Sequence, residues 1–122
     1  MKIKRVFNSE FEKVFNGTLI LDQDIEDKLD IKHKVYRDDL FDAFSDPYLV
    51  VMKTKQKSPI SKNVPKSKGT VYEILCEAAS GRVLFVVGRL FPDGNMYIIT
   101  AYWADTALED LYRHESEVLR DE

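Results

Sequence analysis

Apolar residues recur at two spacings along this chain, and the switches between them mark out its elements. Residues 2–7 (Lys-Ile-Lys-Arg-Val-Phe) read as an edge strand. Asn8 and Ser9 followed by Glu12 have the form of an N-cap with a capping-box acid, which predicts a short helix over residues 9–16. Gly17 suits a left-handed stop, and residues 18–21 (Thr-Leu-Ile-Leu) read as a buried strand. A helix is then predicted from Asp22 or Asp24, with Ile25, Leu29 and His33 inward and Glu26, Asp27 and Lys28 outward. A second helix is predicted over residues 37–45, with Leu40, Phe41 and Phe44 as its apolar stripe. It ends at Asp46-Pro47 because proline cannot continue the ladder.

Residues 48–52 (Tyr-Leu-Val-Val-Met) form a strand by their aromatic and β-branched content. The lysine-rich stretch after them has no apolar period. Residues 56–68, with Ser58-Pro59 and Val64-Pro65 among lysines and serines, are predicted to be a flexible loop. Strands return at 71–78, 82–90 and 95–103, joined by tight turns at Ser80-Gly81 and Pro92-Asp93-Gly94, so that an antiparallel meander is expected. Asp105 then stands as the N-cap of a closing amphipathic helix whose Ala107, Leu108, Leu111, Tyr112, Val118 and Leu119 share one face. No internal repeat or composition break divides the chain. Residues 1–122 are therefore expected to make one α+β domain, in which a four-stranded antiparallel sheet carries N-terminal helices and a C-terminal amphipathic helix on one face.

Composition narrows the classes. A chain of 122 residues that is 44% hydrophobic and 11% aromatic can bury a core and is neither disordered nor fibrous. The single cysteine, Cys76, excludes an internal disulfide and a cysteine-based zinc cluster, and it falls mid-strand on the side of Tyr72 and Ile74, where a buried thiol is expected. No apolar run approaches a membrane span and Met-Lys-Ile-Lys-Arg leads into no signal core, so no membrane association and a cytoplasmic location are expected.

The net charge of −3 hides an asymmetry. Residues 53–68 hold six lysines and no acid, which leaves −9 for the rest of the chain. Residues 22–42 have eight acids against four bases, and residues 105–122 have seven against two. Such faces repel RNA and attract a basic partner, or serve as solvated helix surfaces.

Little cofactor chemistry is available. His33 and His114 are far apart and neither has a partner at metal-ligand spacing, so no metal and no cofactor is expected; no glycine-rich phosphate loop and no nucleophile elbow occurs. One chemistry that needs no cofactor is RNA cleavage by its own 2′-hydroxyl, for which a protein supplies a base, an acid and cations to meet the phosphorane charge. Here His33 or a carboxylate such as Glu73 is a candidate base. Lys32, Arg82 and Arg89 are candidate phosphate clamps, and the tyrosines are donors or stacking surfaces. Each also has a plain structural explanation. His33 packs beside Ile31 and Val35, Arg89 is an edge-strand charge, and Tyr97 and Tyr102 are cross-strand packing.

The order of elements and several strings resemble the BrnT family of toxins of type II toxin–antitoxin systems, which have a small RelE-like ribonuclease fold. Leu21-Asp22 matches that family's apolar residue followed by Asp, and Lys32-His33-Lys34-Val35 is similar to its Lys-His-Gly-Ile element. Residues 38–47, with Phe44 and Asp46, are similar to its helix ending in Phe-x-Asp-Pro. Residues 80–87, opening with Ser80-Gly81-Arg82, and then Ile98-Ile99-Thr100-Ala101, resemble its Gly-Arg hairpin and its Ile-Ile-Ser-Ala strand. The similarity covers roughly residues 18–113.

The resemblance implies a metal-independent endoribonuclease with a cognate antitoxin protein as partner, RNA as substrate and a homo-oligomeric complex as an ordinary state. The candidate catalytic group of such an enzyme here is His33, Arg82, Arg89, Tyr97 and Tyr102, with Lys32, Lys53, Lys55 and Lys57 holding RNA. The chain departs from the family at Tyr97 and Tyr102, where members usually carry arginines, and near Val71, where another arginine is expected. A neutral phenol donates a hydrogen bond but cannot offset phosphorane charge as a guanidinium does. A non-enzymatic protein-interaction module on the same fold is the alternative these departures and the net acidity leave open.

Overall fold

The computed structural model describes residues 11–53 and 69–120. The edge strand expected at residues 2–7, the Asn8-Ser9 cap, the whole loop expected at residues 56–68 with Lys57, and Lys55 lie outside the described residues. The chain runs α1 (Glu12–Val14), β1 (Leu19–Ile20), α2 (Gln23–Lys28), α3 (Arg37–Ala43), β2 (Val50–Lys53), β3 (Thr70–Glu77), β4 (Val83–Leu90), β5 (Met96–Trp103) and α4 (Thr106–Arg120). Helix α2 continues as a π-helical turn over Leu29–His33.

The fold is α+β, as expected, but among the described residues the sheet has five strands and is mixed. Its order is β1-β5-β4-β3-β2, with β1 parallel to β5 and every other pair antiparallel. The expected four-stranded antiparallel sheet is the β2–β5 meander. The strand read at residues 18–21 joins it as a parallel edge through Leu19↔Met96 and Ile20↔Tyr97. A parallel partner so distant in sequence leaves no turn signal, and two paired residues carry no period.

The helices do not share one face. Against one side of the sheet pack Phe11, Leu29, Val35, Leu40 and Ala43 from the N-terminal half, with Val51, Tyr72, Ile74, Cys76, Leu84, Val86 and Met96 from the strands. Helix α4 packs on the other side, where Tyr112 is buried with Val50, Met52, Leu75, Val83 and Phe85, and Leu108 and Leu111 close over them. Strand alternation explains the division. Val83, Phe85, Val87 and Arg89 of β4 face the α4 side, and Leu84, Val86 and Leu90 face the other. The side bearing α1–α3 buries the larger apolar set, and α4 supplies the second layer that a sheet apolar on both faces requires.

Local rules account for most element ends. Gly17 stops the first turn at φ 91°. The expected helix over 9–16 is described only as the short α1. Asp39 caps α3 by accepting the Tyr36 N–H at 2.9 Å, and Asp105 caps α4 by accepting the Leu108 N–H at 2.9 Å. In α3 the stripe differs from expectation. Leu40 and Ala43 are buried and Phe44 is half-buried, whereas Phe41 is exposed with the Arg37 guanidinium 5.2 Å over its ring. Ala43, too small to register as an apolar anchor, takes the inward place because the helix lies close to the sheet.

Asp46, where α3 gives way to β2, joins four elements. Its carboxylate accepts the N–H of Tyr48 at 2.8 Å, the N–H of Glu77 at 2.9 Å and the hydroxyl of Tyr112 at 2.5 Å. Asp42 accepts the Ala79 N–H at 2.7 Å alongside. Cys76, fully buried, donates weakly to the Leu84 carbonyl, and burial, followed by the charge of Asp46, pushes its thiol far above the usual range.

Candidate functional site

Helix α4 covers only one end of its sheet face. Beyond it, the same face of β3, β4 and β5 carries Val87, Tyr97, Thr100 and Tyr102 together with the buried Glu73 and Arg89, which the strand register arranges in rows. Phe85 pairs with Tyr102; Glu73, Val87 and Thr100 form the next row; Val71, Arg89 and Tyr97 form the last. A register shift at Val87/Gly88 separates the second row from the third on β5. Gly88 allows the close approach there, since a Cβ would sit 2.8 Å from the Met96 sulfur.

His33 reaches this face from the edge. The π-helical turn lies along β5 beyond the end of the short β1, and the His33 ring comes to 5.8 Å from that of Tyr102. Lys34 closes the turn in a left-handed conformation, φ 55°, with the Val35 N–H bonded back to the Leu29 carbonyl at 3.1 Å. The Trp103 indole donates to the Lys34 carbonyl at 3.2 Å and fixes the turn against the strand. Tyr102 in turn packs on Phe85 at 5.0 Å between ring centroids. Burial, then the charges of Glu73 and Asp105, raise the Tyr102 phenol above its usual value, so it stays a neutral donor through the physiological range.

Arg89 and Tyr97 occupy the far end. Arg89 is not an edge-strand charge, because β4 lies between β3 and β5. Its stem crosses Gly69 so closely that a Cβ there would stand 2.4 Å from Arg89 Cγ, and its Nη1 donates to the Gly69 carbonyl at 3.3 Å. Tyr97 meets Phe91 edge-on at 4.9 Å and is partly exposed. Four residues of β4 separate Arg89 from Phe85, about 13 Å at the usual strand rise. The His33–Tyr102 pair and the Arg89–Tyr97 pair are thus two ends of one strip, with Glu73 between them.

Arg82 does not join them. Its guanidinium stacks 3.9 Å over the Trp103 ring, on the sheet side that carries α2. Lys32 is exposed on the π-helical turn next to His33, and Lys53 closes β2 with its backbone paired to Tyr72. His114 is exposed on α4. Among the described residues no group of His, Cys, Asp and Glu could hold a metal ion, and no helix is long and apolar enough to cross a membrane. Sequence reasoning passed over Phe85 as a platform for Tyr102 and Gly69 as the seat of Arg89. Phe85 was legible from the alternation of β4, but the seat of Arg89 depends on a neighbouring backbone that no local pattern announces.

A second surface lies on the other side of the molecule. Glu26, Asp27, Asp30, Tyr36, Arg37 and Asp38 line a shallow groove of about 240 Å³, and Arg37 pairs with Glu26 at 3.5 Å. Ile31, at 73% exposure, and Tyr36 and Phe41 stand uncovered on the same elements. No protein-family model matches the chain, and no curated protein matches it in sequence.

Proposed function

We propose that this protein is a toxin-like, metal-independent endoribonuclease of a type II toxin–antitoxin system, diverged from the BrnT pattern. The observation that carries the reading is the juxtaposition of His33 with Tyr102 on a sheet face that also holds Arg89, Tyr97 and Glu73. A strip with an imidazole and a phenol at one end and a guanidinium at the other suits a length of RNA lying across the strands. His33 exchanges a proton with the reacting ribose or the leaving 5′-oxygen. Tyr102, neutral, donates to a phosphate oxygen, and Arg89 holds a neighbouring phosphate. Lys32 and the lysines from Lys53 onward supply the non-specific attraction to the phosphate backbone.

Lys34 supports the family resemblance independently. It takes the left-handed backbone at the position where the family's Lys-His-Gly-Ile element has glycine, so the turn is kept although the residue is changed. The test is cleavage of a structured RNA in excess chelator by the full chain and by His33→Ala and Tyr102→Phe. The reading expects cleavage that survives chelation and falls at least tenfold in each variant. Intact RNA in the presence of folded wild-type protein refutes it.

A second reading, a non-enzymatic module that binds a protein partner, is favoured by the tyrosines at the two positions where the family has arginine. The acidic groove beside exposed Ile31, Tyr36 and Phe41 supports it too and suits a basic partner segment. In the toxin reading that partner is the cognate antitoxin.

A further inference from the structure

Two charged side chains lie buried on the α4 side of the sheet, and neither neutralises the other. Arg89 and Glu73 are each only 8% exposed. Val71 pairs with Arg89 and Glu73 with Val87, so the two residues stand diagonally across β3 and β4, where Cβ atoms are about 7–8 Å apart. Among the described residues no ion pair joins them, and the Glu73 carboxylate oxygens are not among the buried polar atoms left without a partner. Arg89 spends one donor on the Gly69 carbonyl, while its Nε is buried with no partner at all. Folding alone does not favour the Arg89 arrangement, because a buried donor left unmet costs stability that a partner would restore. Where such a donor persists beside a carboxylate on the same sheet face, a ligand that meets both at once is the economical explanation.

The geometry points to a ribonucleotide-binding site in which the Arg89 guanidinium holds an anionic phosphate oxygen and the Glu73 carboxylate accepts the hydrogen bond of the adjacent ribose 2′-hydroxyl. The inference rests on the ribonuclease reading and refines it, by naming the part of the RNA that this end of the strip recognises. Guanidinium matches phosphate through paired donors, and the 2′-hydroxyl is the group that separates RNA from DNA. A carboxylate repels the phosphate and accepts from the hydroxyl, so Glu73 orders the ligand as well as holding it. Tyr97 is cross-strand from Arg89 and braced edge-on by Phe91, which sets a ring where the base of the same nucleotide can stack.

The experiment is calorimetric titration of the full chain at low salt with adenosine 3′-monophosphate, with its 2′-deoxy counterpart and with inorganic phosphate. The ribonucleotide is expected to bind at least tenfold more tightly than the deoxynucleotide. Glu73→Met should remove that difference, and Arg89→Gln should abolish binding of all three. Equal affinity for the two nucleotides, or no binding of either by the wild-type chain, overturns the inference, and this comparison decides the matter even where a variant fails to fold. Ribose-selective binding by a protein that leaves RNA intact keeps the site and removes the ribonuclease reading. RNA cleavage by a protein that does not distinguish the two nucleotides does the reverse.

Discussion

Replacing Asp46 by alanine removes the single acceptor that ties α3, β2, β3 and α4 together. Three donors lose this acceptor: the Tyr48 and Glu77 N–H groups and the Tyr112 hydroxyl, the last on a fully buried side chain. Hydrogen bonds to a charged acceptor are worth about 1.5–3 kcal/mol each. Asp46 is half-buried, so water recovers part of the loss at the two amides. The net cost is therefore roughly 3–4 kcal/mol, a large share of the 5–15 kcal/mol by which a domain of this kind is stable. At this chain length about 4 °C accompanies each kcal/mol, so the melting temperature should fall by roughly 12–16 °C.

Tyr112→Phe removes one of the three bonds without a cavity and should cost about 1.5–2 kcal/mol. In the double variant that cost should shrink, because the hydroxyl's Asp46 acceptor is already gone, giving a measurable positive coupling. Urea unfolding of the wild type, both single variants and the double variant measures all four corners. Asp46→Ala within about 0.5 kcal/mol of wild type, or strictly additive single effects, refutes the assignment of Asp46 as the shared acceptor.

Four further outcomes follow from the same contacts. Lys34→Gly relieves a left-handed lysine and should raise stability by roughly 0.5–1 kcal/mol in urea unfolding, after the extra flexibility of the unfolded chain is subtracted. Gly69→Ala places a methyl group against the Arg89 stem and should lower stability by about 1–3 kcal/mol while weakening phosphate binding; an unchanged melt contradicts the close crossing of Gly69 and Arg89. The Cys76 thiol should resist a water-soluble thiol reagent in the native protein and react readily in urea, since burial keeps it protonated. Tyr102 and Cys76 both have raised folded values, so the unfolded chain loses those protons first. Stability should fall with rising pH from about pH 8.5 upward for the thiol and from about pH 10 for the phenol, and Tyr102→Phe should flatten the upper limb of a melting profile.

The meander, the closing helix and the inward Ile25 and Leu29 were legible because each rests on local signals: β-branched runs, Pro-Asp-Gly and Ser-Gly turns, and helical spacing; His33, expected on the same inward face, is carried by the π-helical turn to Tyr102 on the other side of the sheet. What escaped depends on distant partners. The parallel pairing of β1 with β5 has no hairpin turn to announce it, and the placement of α4 on the opposite face follows from a sheet apolar on both sides, which strand content alone does not show. Of the candidate residues, His33 and Tyr102 meet, whereas Arg82 is drawn to Trp103 across the sheet by stacking that no spacing encodes. Arg89 read as a surface charge because a lone arginine in an apolar strand looks like an edge; its burial beside Glu73 becomes evident only from the strand order.

The most direct test of the central claim uses a DNA oligonucleotide carrying a single ribose, incubated with the full chain in excess chelator. The account predicts scission only on the 3′ side of that ribose, a product ending in a 2′,3′-cyclic phosphate, and loss of cutting when the ribose is replaced by 2′-deoxyribose or when His33→Ala is used. An oligonucleotide left intact by folded wild-type protein, or cut equally with and without the 2′-hydroxyl, would contradict it.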